Sequence, residues 1–274
     1  MLAIDRRDEV TVVRLAHGPV NALDLELLLA LTAALEESTG PLVLTGTGRS
    51  FCAGVDLRRI VEGDEQHTAA FLDALTEMFL AVFDHPAPTV AAVNGHAIAG
   101  GCVLALACDF RLIAAGRIGL TELAVGVPFP SAAREIARYA LGPVVSRVVL
   151  RADTLEAEDA GRVGLVDDVV PQDELLDRAV ALATRLAGHD AAAYAFEKRR
   201  LHRTAREAAA VGDRDVVRAW TSPATKDRLR AKLAKLSRGE RPVEGHEATH
   251  APTRLPCAPP TPSAASDRAL GNVD

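Results

Sequence analysis

One stretch of mostly small and apolar residues, 89–122, constrains the fold of this chain more than any other part of the sequence. It begins with an apolar run of strand length, Thr89–Val93, which Asn94-Gly95 interrupts. A glycine pair, Gly100-Gly101, then opens the apolar segment Cys102–Ala107, which predicts a buried helix. A strand, a turn and a buried helix in this order indicate an α/β fold.

The glycine pair also points to chemistry. Backbone N–H groups at a helix N-terminus lack partners within the helix and lie at the positive end of its dipole. Since Gly100 and Gly101 have no side chains to shield them, these groups suit a developing negative charge on a ligand oxygen. After a second predicted strand, Phe110–Ala114, Glu122 brings one carboxylate into apolar surroundings. The stretch therefore predicts an oxyanion site beside a lone acid.

The residues before this stretch repeat the same alternation of elements. Strands are predicted over Val10–Leu15 and Leu42–Thr45, with an amphipathic helix over 24–37 between them. Residues 58–67 are charged and are interpreted as a mobile segment, and an apolar stripe then predicts a helix over 68–83. The repeated order predicts an α/β architecture with right-handed crossovers.

A glycine-rich turn, Gly46 to Leu57, follows the second of these strands. It lacks the Gly-Lys-Ser/Thr of a phosphate-binding P-loop and does not match G-x-G-x-x-G. Its main-chain amides could face a ligand, or the turn could simply connect a strand to a helix. The turn by itself does not separate these two interpretations.

The C-terminal part of the chain is predicted to be helical and then unstructured. From Gln172 to about Leu236 the pattern is helical, with breaks near Gly188, Gly212 and Ser222-Pro223. Proline, threonine, alanine and serine then dominate without a periodic apolar face, which is typical of disorder. The predicted organisation is an α/β core over 1–188, a helical region over 189–238 and a disordered tail over 239–274.

Composition excludes several classes of function. A net charge of −6 and 4% aromatic residues argue against a nucleic-acid partner. There is no apolar run of membrane-spanning length and no secretory signal pattern, so a soluble, cytoplasmic protein without membrane contact is predicted. The four cysteines lack metal-ligand spacing, so no metal is expected and the thiols are interpreted as reduced packing residues.

Three segments together resemble the crotonase (enoyl-CoA hydratase/isomerase) superfamily: 18–28 (GPVNALDLELL), 49–57 (RSFCAGVDL) and 91–111 (AAVNGHAIAGGCVLALACDFR). The pattern at 160–171, with Gly164–Asp167 and Pro171, is also typical. The resemblance covers about residues 1–237. It implies a spiral of β-β-α repeats followed by a helical C-terminal region that packs trimers, as a homotrimer or a dimer of trimers.

The resemblance also assigns roles to individual residues. The backbone amides of Val55 and Gly100 match the two donors that would hold the thioester oxygen of an acyl-CoA. The loop whose backbone meets the CoA adenine corresponds to a segment that includes Cys52, Ala53, Asp56 and Leu57. Arg58 falls where a basic residue often meets the CoA phosphates. Because Gly18 and Pro19 replace another frequent basic residue, phosphate recognition would depend on Arg58, Arg59 or a neighbouring subunit. Coenzyme A is then part of the substrate, and no separate cofactor is expected.

The sequence departs from the family hydratases at Val103. These enzymes hold and activate water between two glutamates, one at this position and one at the position of Glu122. Valine can do neither, whereas a single acid can move a proton from C2 to C4 of a 3-enoyl-CoA. The motifs are similar to those of mitochondrial-type Δ3,Δ2-enoyl-CoA isomerases, and an apolar wall at Val103 would raise the pKa of Glu122 toward a useful range.

Two alternatives stay open. The first is a hydratase, or another lyase or hydrolase of the family, in which Glu62, Asp64 or Glu65 supplies a second acid. The second is a protein that binds acyl-CoA without turnover.

Three nearby polar residues receive lesser roles. His96 is interpreted as structural, and Asp56 as a loop or helix-cap residue as well as part of the CoA loop. Thr121 could orient Glu122 through a hydrogen bond.

Overall fold

Two β-sheets form the frame of the computed structural model, which describes residues 1–237. The larger sheet contains, in spatial order, β1 (Leu2–Arg7), β2 (Val10–Leu15), β3 (Leu42–Gly46), β5 (Thr89–Val93), β7 (Phe110–Ile113) and β10 (Asp168–Val169). The smaller sheet contains β4 (Ser50–Cys52), β6 (His96–Ile98), β8 (Arg117–Gly119) and β9 (Leu155–Glu156). Only β1 and β9 pair antiparallel with their neighbours among these strands; the other pairs are parallel.

The helices that cover the sheets begin and end close to the sequence signals. They are α1 (Leu25–Glu36), α2 (Leu57–Glu62), α3 (Glu65–Phe83), α4 (Gly100–Ala107), α5 (Glu122–Val125), α6 (Ser131–Leu141), α7 (Val145–Arg151), α8 (Ala157–Val163), α9 (Leu175–Ala187), α10 (Ala191–Ala209), α11 (Arg214–Thr221) and α12 (Pro223–Ser237). Aspartate side chains cap the starts of α1, α2 and α3, where they accept hydrogen bonds from main-chain N–H groups that have no helical partner.

The two sheets arise from a repeated β-β-α unit. In each of the pairs β3–β4, β5–β6 and β7–β8, the first strand joins the larger sheet and the second joins the smaller one. A helix follows each pair, and this is the spiral of β-β-α repeats predicted from the sequence. The predicted fold class is therefore confirmed.

The core lies around α4, in which all eight residues are buried. The apolar stripe of α3 packs into the same core through Phe71, Leu75 and Phe79, as its helical spacing predicts. Burying each such large side chain stabilises the fold by roughly 1.5–3 kcal/mol. Helix α9 covers the opposite face of the larger sheet with small residues such as Ala179.

The prediction of a mobile segment over 58–67 is wrong. This segment contains most of α2 and the start of α3. Its charges lie on the outside, but Ile60 is buried in the core and Asp56 and Asp64 provide the caps. Sparse apolar residues in a short helix leave little periodic signal, although one buried anchor and two caps are enough to order it.

The short strands β4, β6 and β8 were also missed, because three residues are too few to show an alternating pattern. The helical prediction from Gln172 onward is confirmed by α9 to α12, with breaks at the expected positions. The domain boundary at residue 188 follows directly after α9 and stays a prediction. The predicted tail, 239–274, and residue 238 lie outside the described residues. Over 1–237, no helix combines the length and the apolar character that crossing a membrane requires.

Candidate active site

The candidate residues meet at one edge of the smaller sheet. Because β4, β6 and β8 are parallel neighbours, their carboxyl ends lie at the same edge. The segments that leave these ends carry Val55, Gly100 and Glu122 respectively. The carboxyl edge of parallel strands is the usual position of a ligand site in α/β proteins.

A short parallel bridge between Leu23 and Val55 sets the direction of the Val55 amide. Leu23 donates its N–H to the C=O of Gly54 at 2.8 Å and accepts the N–H of Asp56 at 2.9 Å. In a parallel bridge these bonds go to the residues on either side of Val55, so its own N–H points away from Leu23. The Val55 N–H is therefore left for another partner.

Gly100 lies next to this loop. A methyl group built on Gly100 would come within 3.7 Å of the Cα of Gly54, so the two backbones approach closely. Gly100 is the first residue of α4, and no side chain among residues 1–237 caps this helix. The first main-chain bond of the helix runs from the N–H of Val103 to the C=O of Ala99 at 3.0 Å, so the Gly100 N–H has no partner within α4.

Ala99, which precedes Gly100, is held in a strained conformation with φ +50° and ψ −118°. This region of backbone space favours glycine, and strain of this kind costs of order 1–3 kcal/mol. The surrounding structure maintains it through the hydrogen bond from the Ala99 N–H to the C=O of Gly119, at 2.8 Å. The strained residue fixes the direction in which the N-terminus of α4 points.

Glu122 is buried at the start of α5, with 7% of its surface exposed. Burial raises the pKa of its carboxyl to about 8, although the main-chain N–H groups of Glu122 and Thr121 act in the opposite direction. Its Oε2 atom is fully buried and has no hydrogen-bond partner within residues 1–237. A buried carboxyl with one unpartnered oxygen and a pKa of about 8 is typical of a general acid or base.

The environment of Cys102 places the Glu122 carboxyl near the first turn of α4. Burial raises the pKa of the Cys102 thiol, and the charge of Glu122 raises it further. The next residue, Val103, is fully buried, so the first turn of α4 is apolar here. Burial likewise raises the pKa of the Cys52 thiol to about 12, which makes both thiols unreactive packing groups.

In the predicted CoA loop, residues 52–57, some polar groups already form hydrogen bonds within the protein. Ala53 donates its N–H to the C=O of Val20 at 3.0 Å, and Asp56 caps α2, as its cap interpretation expects. Leu57 is the first residue of α2 and packs against the core. Arg58 is exposed, and its side chain forms no ion pair or hydrogen bond with the described residues, so it is available for an anionic ligand.

Arg59 is not available in the same way. Its guanidinium forms ion pairs with Asp24 at 3.2 Å, with Glu26 at 3.7 Å and with Asp56 at 3.8 Å. The expectation that Arg59 shares phosphate recognition with Arg58 is therefore not supported by its contacts.

The acids considered as a second catalytic group do not lie in a buried site. Glu62, Asp64 and Glu65 are exposed. The Asp64 carboxylate also accepts the His67 N–H at 2.7 Å to cap α3. The alternative in which one of these residues supplies the second acid of a hydratase therefore lacks structural support.

Two further polar residues have structural roles. His96 lies in β6, and its Nδ1 accepts the N–H of Arg117 at 3.1 Å, which agrees with its structural interpretation. The Thr121 side chain forms no cap bond at α5, and it is the main-chain N–H of Thr121 that acts on the Glu122 carboxyl.

Sequence reasoning missed how α11 and the residue before it hold the segment that follows α5. The Nε1–H of buried Trp220 donates to the C=O of Pro128 at 2.9 Å, and Asp213 accepts both the N–H and the hydroxyl of Ser131. These bonds hold the middle of the segment that follows α5 and the start of α6. A single tryptophan in a chain poor in aromatic residues was the available signal.

A cleft of about 840 Å3 lies elsewhere, between α10 and the end of α4. In this cleft Tyr194 and Lys198 both donate to Asp109. Nε of Arg111 and Nδ1 of His202, which also line the cleft, are buried and have no hydrogen-bond partner among the described residues. None of the candidate site residues lines it. Over the described part of the chain, no three His, Cys, Asp or Glu side chains are grouped as metal ligands.

Comparison with known proteins identifies the family and the fold relatives of this chain. The profile of the family described as Enoyl-CoA hydratase/isomerase matches residues 5–232. The chain belongs to this family. Membership of the enoyl-CoA hydratase/isomerase family confirms the predicted resemblance, and acyl-CoA substrates are consistent with it.

Relatives in this family include both hydratases and isomerases. The 2,3-dehydroadipyl-CoA hydratase of Escherichia coli is 33% identical over 213 residues, which cover 74% of this chain and 82% of that protein. The mitochondrial enoyl-CoA delta isomerase 1 of Mus musculus is 33% identical over 186 residues, which cover 64% of each protein. The structure of human mitochondrial delta3-delta2-enoyl-CoA isomerase superimposes with a TM-score of 0.82 and 25% identity, covering 87% of this chain and 99% of that one.

Proposed function

We propose that this chain isomerises 3-enoyl-CoA to 2-enoyl-CoA, with Glu122 as the only acid/base. The observation that carries this proposal is the state of Glu122, which is buried, unpartnered at Oε2 and raised in pKa to about 8. A group of this kind can both accept and return a proton near neutral pH.

The reaction needs two proton transfers and one stabilised anion. The Glu122 carboxylate takes a proton from C2, and the electron pair of that C–H bond moves into the thioester, giving a dienolate. The N–H groups of Val55 and Gly100 donate hydrogen bonds to the negative oxygen. These bonds stabilise a charge that would otherwise be unfavourable in an apolar site. The protonated Glu122 then returns the proton to C4, which leaves the double bond between C2 and C3.

The buried valine at position 103 supports isomerisation over hydration. Hydration of a 2-enoyl-CoA requires an activated water molecule, and Val103 cannot bind or deprotonate one. The hydratase alternative is supported by the similarity to the Escherichia coli hydratase. The third alternative, binding without turnover, is supported by no contact in the site.

Two substrates and two variants separate these possibilities. The native protein is assayed with 3-hexenoyl-CoA for isomerisation and with crotonyl-CoA for hydration, alongside Glu122→Gln. Glu135→Gln is the matched control, because Glu135 is also buried, with 5% exposed, but is paired with Arg134 and Arg138. We expect isomerisation by the native protein and the control, and a loss of about 10²–10⁴-fold in Glu122→Gln.

The other outcomes contradict the proposal. Hydration of crotonyl-CoA by the native protein, without isomerisation of 3-hexenoyl-CoA, would support the hydratase. Tight binding of both thioesters without turnover would support a binding protein. Isomerisation that survives in Glu122→Gln would show that another residue is the base.

The proposal extends to assembly. A homotrimer, or a dimer of trimers, of 28.9 kDa chains agrees with the family resemblance and with exposed apolar residues on α10 such as Phe196 and Leu201. The cytoplasmic location stays the prediction made from the sequence. Light scattering of the purified protein tests the assembly, and a monomer at micromolar concentration would contradict it.

A further inference from the structure

An ionic cluster formed by His17, Asp24 and Arg59 lies beside the Val55 loop. The Asp24 side chain is only 4% exposed, yet its Oδ2 atom lies 2.7 Å from Nε2 of His17 and 3.2 Å from Nη2 of Arg59. Burial acts to raise the pKa of Asp24, but the hydrogen bonds from Leu27 and His17 and the charge of Arg59 outweigh it and hold the pKa below its usual value. The carboxylate is thus charged at neutral pH.

Asp24 forms more interactions than the capping of α1 requires. Capping of α1 uses only Oδ1 of Asp24, which accepts the Leu27 N–H at 2.9 Å. Serine or asparagine would serve equally well for this purpose. The second oxygen instead gathers two cationic or polar partners from separate segments, His17 from the loop after β2 and Arg59 from α2.

Asp24 and Arg59 lie close in sequence to Leu23 and Val55, the two residues whose bridge sets the direction of the Val55 amide. Asp24 directly follows Leu23, whose main-chain bonds to Gly54 and Asp56 leave the Val55 N–H pointing away from it. Arg59 lies in the first turn of α2, which Asp56 caps through the N–H groups of 58 and 59. The ion pair therefore joins the two segments that follow Leu23 and Val55, the two residues of the bridge.

We propose that Asp24, with His17 and Arg59, positions the Val55 N–H for the thioester oxygen. The inference rests on the proposed function, since it needs an oxyanion at this amide. A hydrogen-bond donor stabilises a developing charge only when it is already aligned, and misplacement by a fraction of an ångström loses much of the effect. In this role Arg59 acts on the chemical step and does not bind the CoA phosphates.

Two substrates distinguish positioning from phosphate binding. 3-Hexenoyl-CoA carries the phosphates, whereas 3-hexenoyl-pantetheine lacks them. We expect Asp24→Asn, which keeps a cap oxygen but loses the charge, and Arg59→Gln to lower kcat about tenfold on both thioesters, with KM changed less than about threefold. The double variant should lose no more than either single variant, because the pair acts as a unit.

Arg206→Gln is the matched control for Arg59→Gln. Arg206 is similarly exposed, at 47% against 45%, and pairs with Asp84 on the surface away from the site. Its kcat per folded molecule should equal that of the native protein. An Arg59→Gln defect in KM confined to the CoA substrate would make Arg59 a phosphate ligand and overturn the proposal, as would an unchanged kcat in Asp24→Asn.

A spectroscopic readout separates this inference from the proposed function. The carbonyl stretch of bound hexanoyl-CoA, labelled with ¹³C at the thioester carbon, should lie at lower frequency in the native protein than in water. The shift should be smaller in Asp24→Asn and unchanged in Arg206→Gln. If the native protein does not isomerise but this pattern holds, the proposed reaction fails while the positioning role stands. Equal shifts in native protein and Asp24→Asn overturn the positioning role.

Discussion

The N–H of Ala99 donates a hydrogen bond of 2.8 Å to the C=O of Gly119. This bond joins the residue before Gly100 to the strand that leads to Glu122. The same contact thus links the position of the candidate base to the direction of the candidate oxyanion donor at Gly100. Five predictions test how the local structure around this contact supports function.

The raised pKa of Glu122 predicts the pH dependence of the rate. Because the carboxylate is the form that removes the C2 proton, kcat/KM for 3-hexenoyl-CoA should rise with pH through about 8 and then level off. Stopped-flow assays between pH 6 and 9.5 measure this profile. A rate that is constant across this range would show that Glu122 is not the titrating base.

The same pKa predicts the pH dependence of stability. Since the folded-state pKa of about 8 exceeds the ordinary glutamate pKa of 4.5, folding favours the protonated form, and the unfolded chain loses this proton first as pH rises. The contribution of Glu122 to the free energy of unfolding is therefore greatest below pH 4.5 and falls as pH rises toward about 8. Denaturant titrations at several pH values should show a shallower decline in Glu122→Gln than in the native protein.

Ala99→Gly tests whether the strained conformation of residue 99 serves activity. Glycine relieves the strain at φ +50° but makes the unfolded chain more flexible, so the free energy of unfolding should change by only about 1 kcal/mol. We expect kcat to fall severalfold, because the Gly100 N–H is then held less firmly. Asp8→Gly, at φ +54° in the β1–β2 turn, is the control and should leave kcat unchanged. Equal kcat in both variants would contradict a role for the Ala99 conformation.

Gly54→Ala should disrupt the contact between the two oxyanion segments. A methyl group there would lie 2.6 Å from the C=O of Ile98, at a residue with φ +83°. We expect a marked loss of kcat together with a lower melting temperature. Gly48→Ala also introduces a side chain at positive φ, +65°, but meets no atom within 4 Å, so it should cost about 1 kcal/mol of stability and no activity. A calorimetric scan and an isomerase assay of both variants decide this.

Val103→Glu tests whether the missing second carboxylate excludes hydration. The new acid would be fully buried, so the free energy of unfolding should fall by about 3 kcal/mol. We expect slow hydration of crotonyl-CoA to appear in this variant and not in Val103→Gln, which matches its size without the charge. If neither folded variant hydrates the substrate, the identity of residue 103 does not by itself separate the two reactions.

Much of the fold and the site could be predicted from the chain alone. The apolar stripe of α3 and the apolar composition of α4 follow local periodicity, so both helices were found. The family motifs identified Val55, Gly100 and Glu122, and the structure places all three at one sheet edge. By contrast, the order of residues 58–62 depends on Ile60 finding a place in the core, which local sequence does not reveal.

The sequence by itself determined the longer strands and helices, the unshielded glycine at position 100 and the absence of a second acid at 103, because these are properties of residue type and spacing. The tertiary structure alone decided that Glu122 is buried with a raised pKa, that Leu23 directs the Val55 amide and that Arg59 is engaged by Asp24. Desolvation and ion pairing depend on groups that are distant along the chain and adjacent only after folding. Their effects therefore have no local pattern in the sequence.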